Sequence, residues 1–115
     1  MVGFEEEFAI AEKYMKDAHT CIGRQMFEAA SVQVKDAVAY AARALILKQG
    51  MKNPKTQNEL FESFNKLIVE EGIIQAEYGD MLKDILTAIS VVPETKKIIK
   101  KADVFISRVK DILIP

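Results

Sequence analysis

The chain has 115 residues, 50% hydrophobic and 29% charged, with a formal net charge of −1. That length suits one domain, able to bury roughly 65% of the surface its unfolded chain exposes, and the hydropathy excludes disorder. Near-neutral charge excludes attraction of the whole molecule to nucleic acid or membrane, so any such contact needs a local patch.

Apolar residues return at alternating steps of three and four along nearly the whole chain. The first stripe, Phe4, Phe8, Ala11, Met15, Ala18 and Ile22, predicts a helix. Glu5, Glu6 and Glu7 suit the positive end of its dipole and read as solvated charge, and Gly23 marks its stop. The second helix, 26–47, is rich in alanine and ends at Gly50, a C-cap residue. Between Ala37 and Leu47 apolar residues cover most of its circumference, which predicts burial on nearly every side. In so small a domain that asks for several covering partners, a second protomer among them. Residues 50–56 (GMKNPKT) form a loop, and Thr56 with Glu59 makes a capping box. The third helix turns Leu60, Phe61, Phe64, Leu67 and Ile68 inward and stops at Gly72. The fourth starts near Gln75 or Ala76, with Tyr78, Leu82, Ile85 and Ile89 as its stripe and Met81 and Leu86 widening it. Val91-Val92-Pro93 breaks it, and Pro93 opens the last helix. That helix carries Ile98, Ala102, Phe105, Val109 and Ile112, with a second seam of Ile99, Ile106 and Leu113. No segment alternates like a strand and no Gly/Ser-rich linker divides the chain. The expectation is an all-α protein: a single domain over 1–115, folded as a compact up-and-down bundle of about five helices.

Cys21 is the only cysteine and His19 the only histidine, so neither an intramolecular disulfide nor a structural zinc site is expected, and no cofactor is implied. Cys21 reads as a small buried hydrophobe in a reducing compartment. The acidic start is unlike a signal peptide, and no apolar run approaches the roughly 20 residues of a membrane span. These features point to the cytoplasm and to no membrane partner. The initial Met and the Leu-Ile-Pro ending fit a complete small chain.

Glu-x-x-His pairs and His-Glu-x-x-His are impossible with one histidine. His19 and Cys21 stand two apart on a helix and point away from each other, which leaves His19 a surface or boundary residue. None of the five glycines follows a strand, so no phosphate-binding loop is present. Lys96, Lys97, Lys100 and Lys101 fall one turn apart in pairs. The functional reading is a nucleotide or RNA contact strip; the plain one, which we prefer, is the wet face of an amphipathic helix, since no aromatic residue is interleaved. In the alanine-rich helix, Ala37, Tyr40, Ala41, Arg43 and Ala44 are the candidate interface, with Arg43 expected in a buried or interfacial ion pair.

The run AARALIL at 41–47, then Gly50 and PKT at 54–56, resembles the HEPN domain (higher eukaryote and prokaryote nucleotide-binding). LIVEEGII at 67–74, followed by Tyr78-Gly79, is similar to a second family landmark. The resemblance implies a four-helix bundle, here with an extra helix, that commonly forms homodimers. It also implies either a metal-independent RNase, often a toxin, or an accessory to a nucleotidyltransferase. The family's nucleases use an arginine followed four to six residues later by a histidine. Here His19 precedes the first arginine, Arg24; the family's arginine position falls near Ile89, its polar followers near Val92 and Pro93; and Gln57 stands where many relatives have histidine.

The leading expectation is therefore a non-catalytic HEPN-like domain acting through homodimerisation and partner binding, with a nucleotidyltransferase as one such partner. A nucleotide- or RNA-binding module using the lysine strip is the alternative. A toxin-like RNase of non-standard mechanism, with Tyr40, Arg43 or Asp36 in a dimer cleft, comes last.

Overall fold

The computed structural model describes residues 3–114; Met1 and Pro115, on which the reading of a complete small chain leans, lie outside the described residues. Five α-helices follow in order: α1 (Phe4–Gly23), α2 (Phe27–Lys48), α3 (Gln57–Ser63), α4 (Ala76–Thr87) and α5 (Val92–Leu113). No strand occurs among the described residues. Alpha-helical hydrogen bonding in α3 gives way at Phe64 to a π-helical stretch, Phe64–Val69. The all-α expectation holds, and so do most of the stripes.

Each long helix is built as its sequence dictates. Phe8, Ala11, Met15 and Ala18 bury one face of α1. The Thr56 hydroxyl accepts from the Glu59 backbone N–H (3.1 Å), while the Glu59 carboxylate reaches back to the Lys55 N–H (2.8 Å). Glu59 thus serves the residue before the cap, a one-residue variant of the expected box. Pro93 sits in the first turn of α5, where its missing N–H is harmless.

Helix endings repeat one device. At Gly50 and Gly72 the backbone turns left-handed, with φ of 78° and 76°. The Met51 N–H then donates back to Ile46 O (3.3 Å) and the Ile73 N–H to Ile68 O (2.9 Å). The end of α1 has the same geometry, but Gln25, at φ 60°, takes the left-handed position. Met26 N–H donates to Cys21 O (2.8 Å) and Gln25 N–H to Ile22 O (3.0 Å). Gly23, the expected stop, is the last helical residue, two positions before the residue that makes the turn.

The central helix α2 is covered by its own chain. Ala37, Ala41 and Ala44 have 0% exposure, as do Val38, Leu45 and Ile46. Their small side chains let α1 and α5 pack close against α2. This corrects the inference from periodicity: α1, α4, α5 and the α3–π segment supply the burial, with no second protomer needed. α1 and α5 run antiparallel, as two cross-links show: His19 to Asp103 (3.0 Å) and Glu12 to Lys110 (3.4 Å).

Phe64 and Phe105 are the largest fully buried side chains, with ring centroids 5.8 Å apart. The π stretch brings Phe64 and Ile68 into this core and leaves Leu67 half-buried. It crosses α4 at Gly79, where an added Cβ would stand 2.7 Å from the Asn65 side-chain oxygen. The contacted oxygen ends an exposed side chain that can shift, so a side chain at this position would displace Asn65 instead of clashing with the backbone.

Three expectations need correction. Ile89 is 65% exposed, because α4 ends at Thr87 and the chain turns before reaching it. Glu7 is buried, at 6% exposure: it stands three after Phe4 and four before Ala11, so the core stripe carries it inward. Cys21 is half-buried.

Candidate functional site

The outward face of α2 carries the first cluster. Tyr40 stacks on Tyr14 of α1, with centroids 5.6 Å apart and planes at 21°. The Arg43 guanidinium lies over the same Tyr40 ring, 5.3 Å from its centroid. Residues three apart on a helix are neighbours, which makes this contact local. Among the described residues no carboxylate of the chain stands within ion-pair reach of Arg43, so no buried pair forms within the chain and the guanidinium lies over the aromatic ring in a cation–π contact. Of the candidate interface, Tyr40 and Arg43 keep exposed surface, whereas Ala37, Ala41 and Ala44 have none left to offer a partner.

Beside Arg43 is a small cleft of about 200 Å³, shared by Lys35, Asp36, Ala39 and Gln57. Lys35 is committed elsewhere: its Nζ donates to Ala88 O (2.6 Å) and caps the C-terminus of α4. Burial pushes the Asp36 carboxyl above its ordinary value of 3.8, and the Arg43 charge partly offsets this. Between 3.8 and that raised value the folded state holds more protons than the unfolded one. The stability Asp36 contributes therefore falls as pH rises through this window. Asp36→Asn should accordingly melt higher than wild type at pH 7, with the gap closing as pH falls to about 3.8. Paired thermal melts across that range check it; a variant that melts lower at pH 7 would show that the charged form is stabilised in the fold.

His19 is exposed, and its Nε2 lies 3.0 Å from both carboxylate oxygens of Asp103 on α5. The pairing joins the outer surfaces of two helices and borders no cavity described above. Among the described residues no group of three or more His, Cys, Asp or Glu side chains is arranged to hold a metal ion.

The lysine strip divides in the fold. Lys97 pairs with Glu94 one turn back (3.6 Å) and Lys101 with Asp84 of α4 (3.6 Å). The Lys96 ammonium sits 5.6 Å from the centre of the Phe27 ring at the start of α2. An aromatic does accompany the strip, which the spacing within α5 had no means of showing: Phe27 is distant in sequence. Lys100 is exposed.

Next to Phe27 is the main exposed apolar feature of this end. Met26, Phe27, Val91 and Val92 line one groove, with Glu28 and Ser90 on its border. Ser90 Oγ donates to Ser31 Oγ (3.1 Å) and ties the α4–α5 connection to α2. Periodicity missed this cluster because its members lie in two connections and at two helix starts.

The fold and these sites define a small helical-bundle module whose exposed features suit binding. A family model for the HEPN domain matches residues 4–102. The chain belongs to the HEPN family, a helical family of nucleotide-binding and RNase-like domains. The match stops within α5, whose last turns extend beyond it. No curated protein matches the chain.

Proposed function

We propose that this HEPN domain acts by association, without catalysis, pairing with a second copy through the end where α2 and α5 begin. The observation that carries this is the groove lined by Met26 (50% exposed), Phe27, Val91 (45%) and Val92 (43%) at that end. Scattered apolar residues on a surface are ordinary; a contiguous group marks a contact. An isologous contact must also complement itself. This one has both signs of charge on its rim, Glu28 and Lys96, which exchange partners across a twofold axis. The composite surface then serves a protein partner, a nucleotidyltransferase being the class the family suggests. A cytoplasmic setting suits the lone thiol of Cys21.

The non-catalytic reading is supported by His19. No arginine precedes it in the chain, and its ring faces a carboxylate instead of a phosphate-sized pocket. Light scattering of the purified protein tests association: a dimer at micromolar concentration is expected, and a clean monomer overturns it. Turnover of RNA that survives His19→Ala would overturn the non-catalytic half and exclude histidine chemistry together.

The Lys96–Phe27 contact favours a second reading, a nucleotide or RNA site at the same end. An aromatic ring beside cations is the arrangement that stacks a base and neutralises its phosphate. That reading expects affinity for a short RNA to fall steeply with salt. Lys96→Glu with Lys100→Glu should then weaken binding at least tenfold; unchanged affinity disposes of it.

A further inference from the structure

The small cleft beside Arg43 brings together two unlike charges that form no ion pair. Its wall on α2 carries Asp36, Ala39 and Arg43, at steps of three and four along one face. Gln57 at the start of α3 and Leu86 at the end of α4 complete it, with Leu60 (1% exposed) beneath. At about 200 Å³ it is smaller than the roughly 300–1,000 Å³ clefts that hold drug-sized ligands, so it suits a molecule of few atoms.

Neither charge is used by the fold. Asp36 and Arg43 stand seven residues apart, two turns, or about 10 Å along the axis. The guanidinium lies over Tyr40, one turn back, and so leans toward Asp36 without pairing with it. Neither group forms an ion pair with any other described residue. Tyr40 fixes the position of the guanidinium and leaves its charge in place. Lys35, the other cation at the cleft, directs its ammonium to Ala88 O (2.6 Å). Burial disfavours the charged form of Asp36, and Arg43 offsets this only in part. A carboxylate held where it costs stability, with a cation fixed nearby but not paired to it, is what a preformed binding site requires.

The two signs select the occupant. A simple anion is drawn to Arg43 and repelled by Asp36, and a simple cation meets the reverse; a molecule with both signs is attracted by both. Ala39, Leu60 and Leu86 offer apolar surface to a short aliphatic group. The geometry points to a binding site for a small aliphatic α-amino acid, with its ammonium on Asp36 and its carboxylate on Arg43. A guanidinium holds a carboxylate through two parallel N–H donors, and the Gln57 amide can add a third. The site lies away from the apolar end and stands independently of whether the domain dimerises there.

The test titrates the full chain with L-alanine, followed by calorimetry and by amide shifts of the ¹⁵N-labelled protein. Saturable binding in the millimolar range is expected, with shifts at Asp36, Ala39, Gln57 and Leu86. Acetate and ethylamine, each carrying one of the two charges, should bind at least tenfold more weakly. Asp36→Asn should bind alanine at least tenfold more weakly while melting higher than wild type at pH 7, a combination that unfolding does not produce. Arg43→Met should lose binding to the same degree, whereas Lys100→Ala, at an exposed residue of α5, should keep it. No saturable binding, shifts confined to other surfaces, or undiminished binding by Asp36→Asn or Arg43→Met overturns the proposal. So does acetate or inorganic phosphate that binds as tightly as alanine, because Arg43 would then hold a plain anion.

Discussion

Phe105→Ala should lower folding stability by about 3–5 kcal/mol, a large part of the roughly 5–15 kcal/mol that holds a domain folded. Phe105 is fully buried, 5.8 Å from the Phe64 ring and 6.5 Å from Tyr78. Those partners come from the π stretch and from α4, so one side chain joins three elements. Truncation removes both ring contacts, each contributing about 0.5–1.5 kcal/mol beyond area burial. It also leaves a void that two rigid rings cannot collapse to fill. Phe105→Leu keeps most of the volume and should lose less than half as much. Urea unfolding followed by circular dichroism measures both. Phe105 lies beyond residue 102, where the family match stops, so the loss also reports whether the rest of α5 belongs to the domain core. A change below about 1 kcal/mol for the alanine variant would show that it does not.

The bundle was legible because burial imposes a period, and four of the five helices are long enough to display it. The capping box, Gly50 and Pro93 carried their own signals for the same reason: each answers a local backbone need. What escaped depends on contacts between distant segments. Gln25 takes the left-handed position that closes α1, since the tight turn into α2 fixes the conformation and overrides the preference for glycine. The π stretch has the same hydrophobic residues as an α-helix continued to Gly72, and only its crossing of α4 at Gly79 distinguishes them. All-round apolarity in α2 was read correctly as burial, but nothing in a single sequence says whether a covering helix belongs to the same chain. Lys96 follows suit, while Arg43 escaped for another reason, its partner being a neighbour on the same helix. Their partners, Tyr40 and Phe27, are aromatic faces, which charge pattern alone does not reveal.

The proposed dimer makes the other large prediction: Met26→Asp together with Val92→Asp should convert it to monomer at all accessible concentrations. Burying a valine or methionine is worth about 1.5–3 kcal/mol. Val92 keeps 43% of its surface exposed in the single chain, and every substitution acts twice in a twofold contact, so losing Val92 alone removes roughly 1–3 kcal/mol of association energy. At 1.4 kcal/mol per tenfold change, that weakens the dissociation constant by roughly tenfold or more. The new carboxylates would also be desolvated beside the partner's Glu28, which raises the penalty further. Both positions are solvent-exposed in the single chain, Met26 at 50% and Val92 at 43%, so the folded monomer loses little. Unchanged circular dichroism with halved mass by light scattering is therefore the expected pair of results. Val32→Asp, at an equally exposed apolar residue that does not line this groove, is the control and should leave the mass unaltered. If Met26→Asp/Val92→Asp remains dimeric while Tyr40→Ala or Arg43→Ala dissociates, the copies meet along the outward face of α2 instead, and the apolar end is left free for the partner.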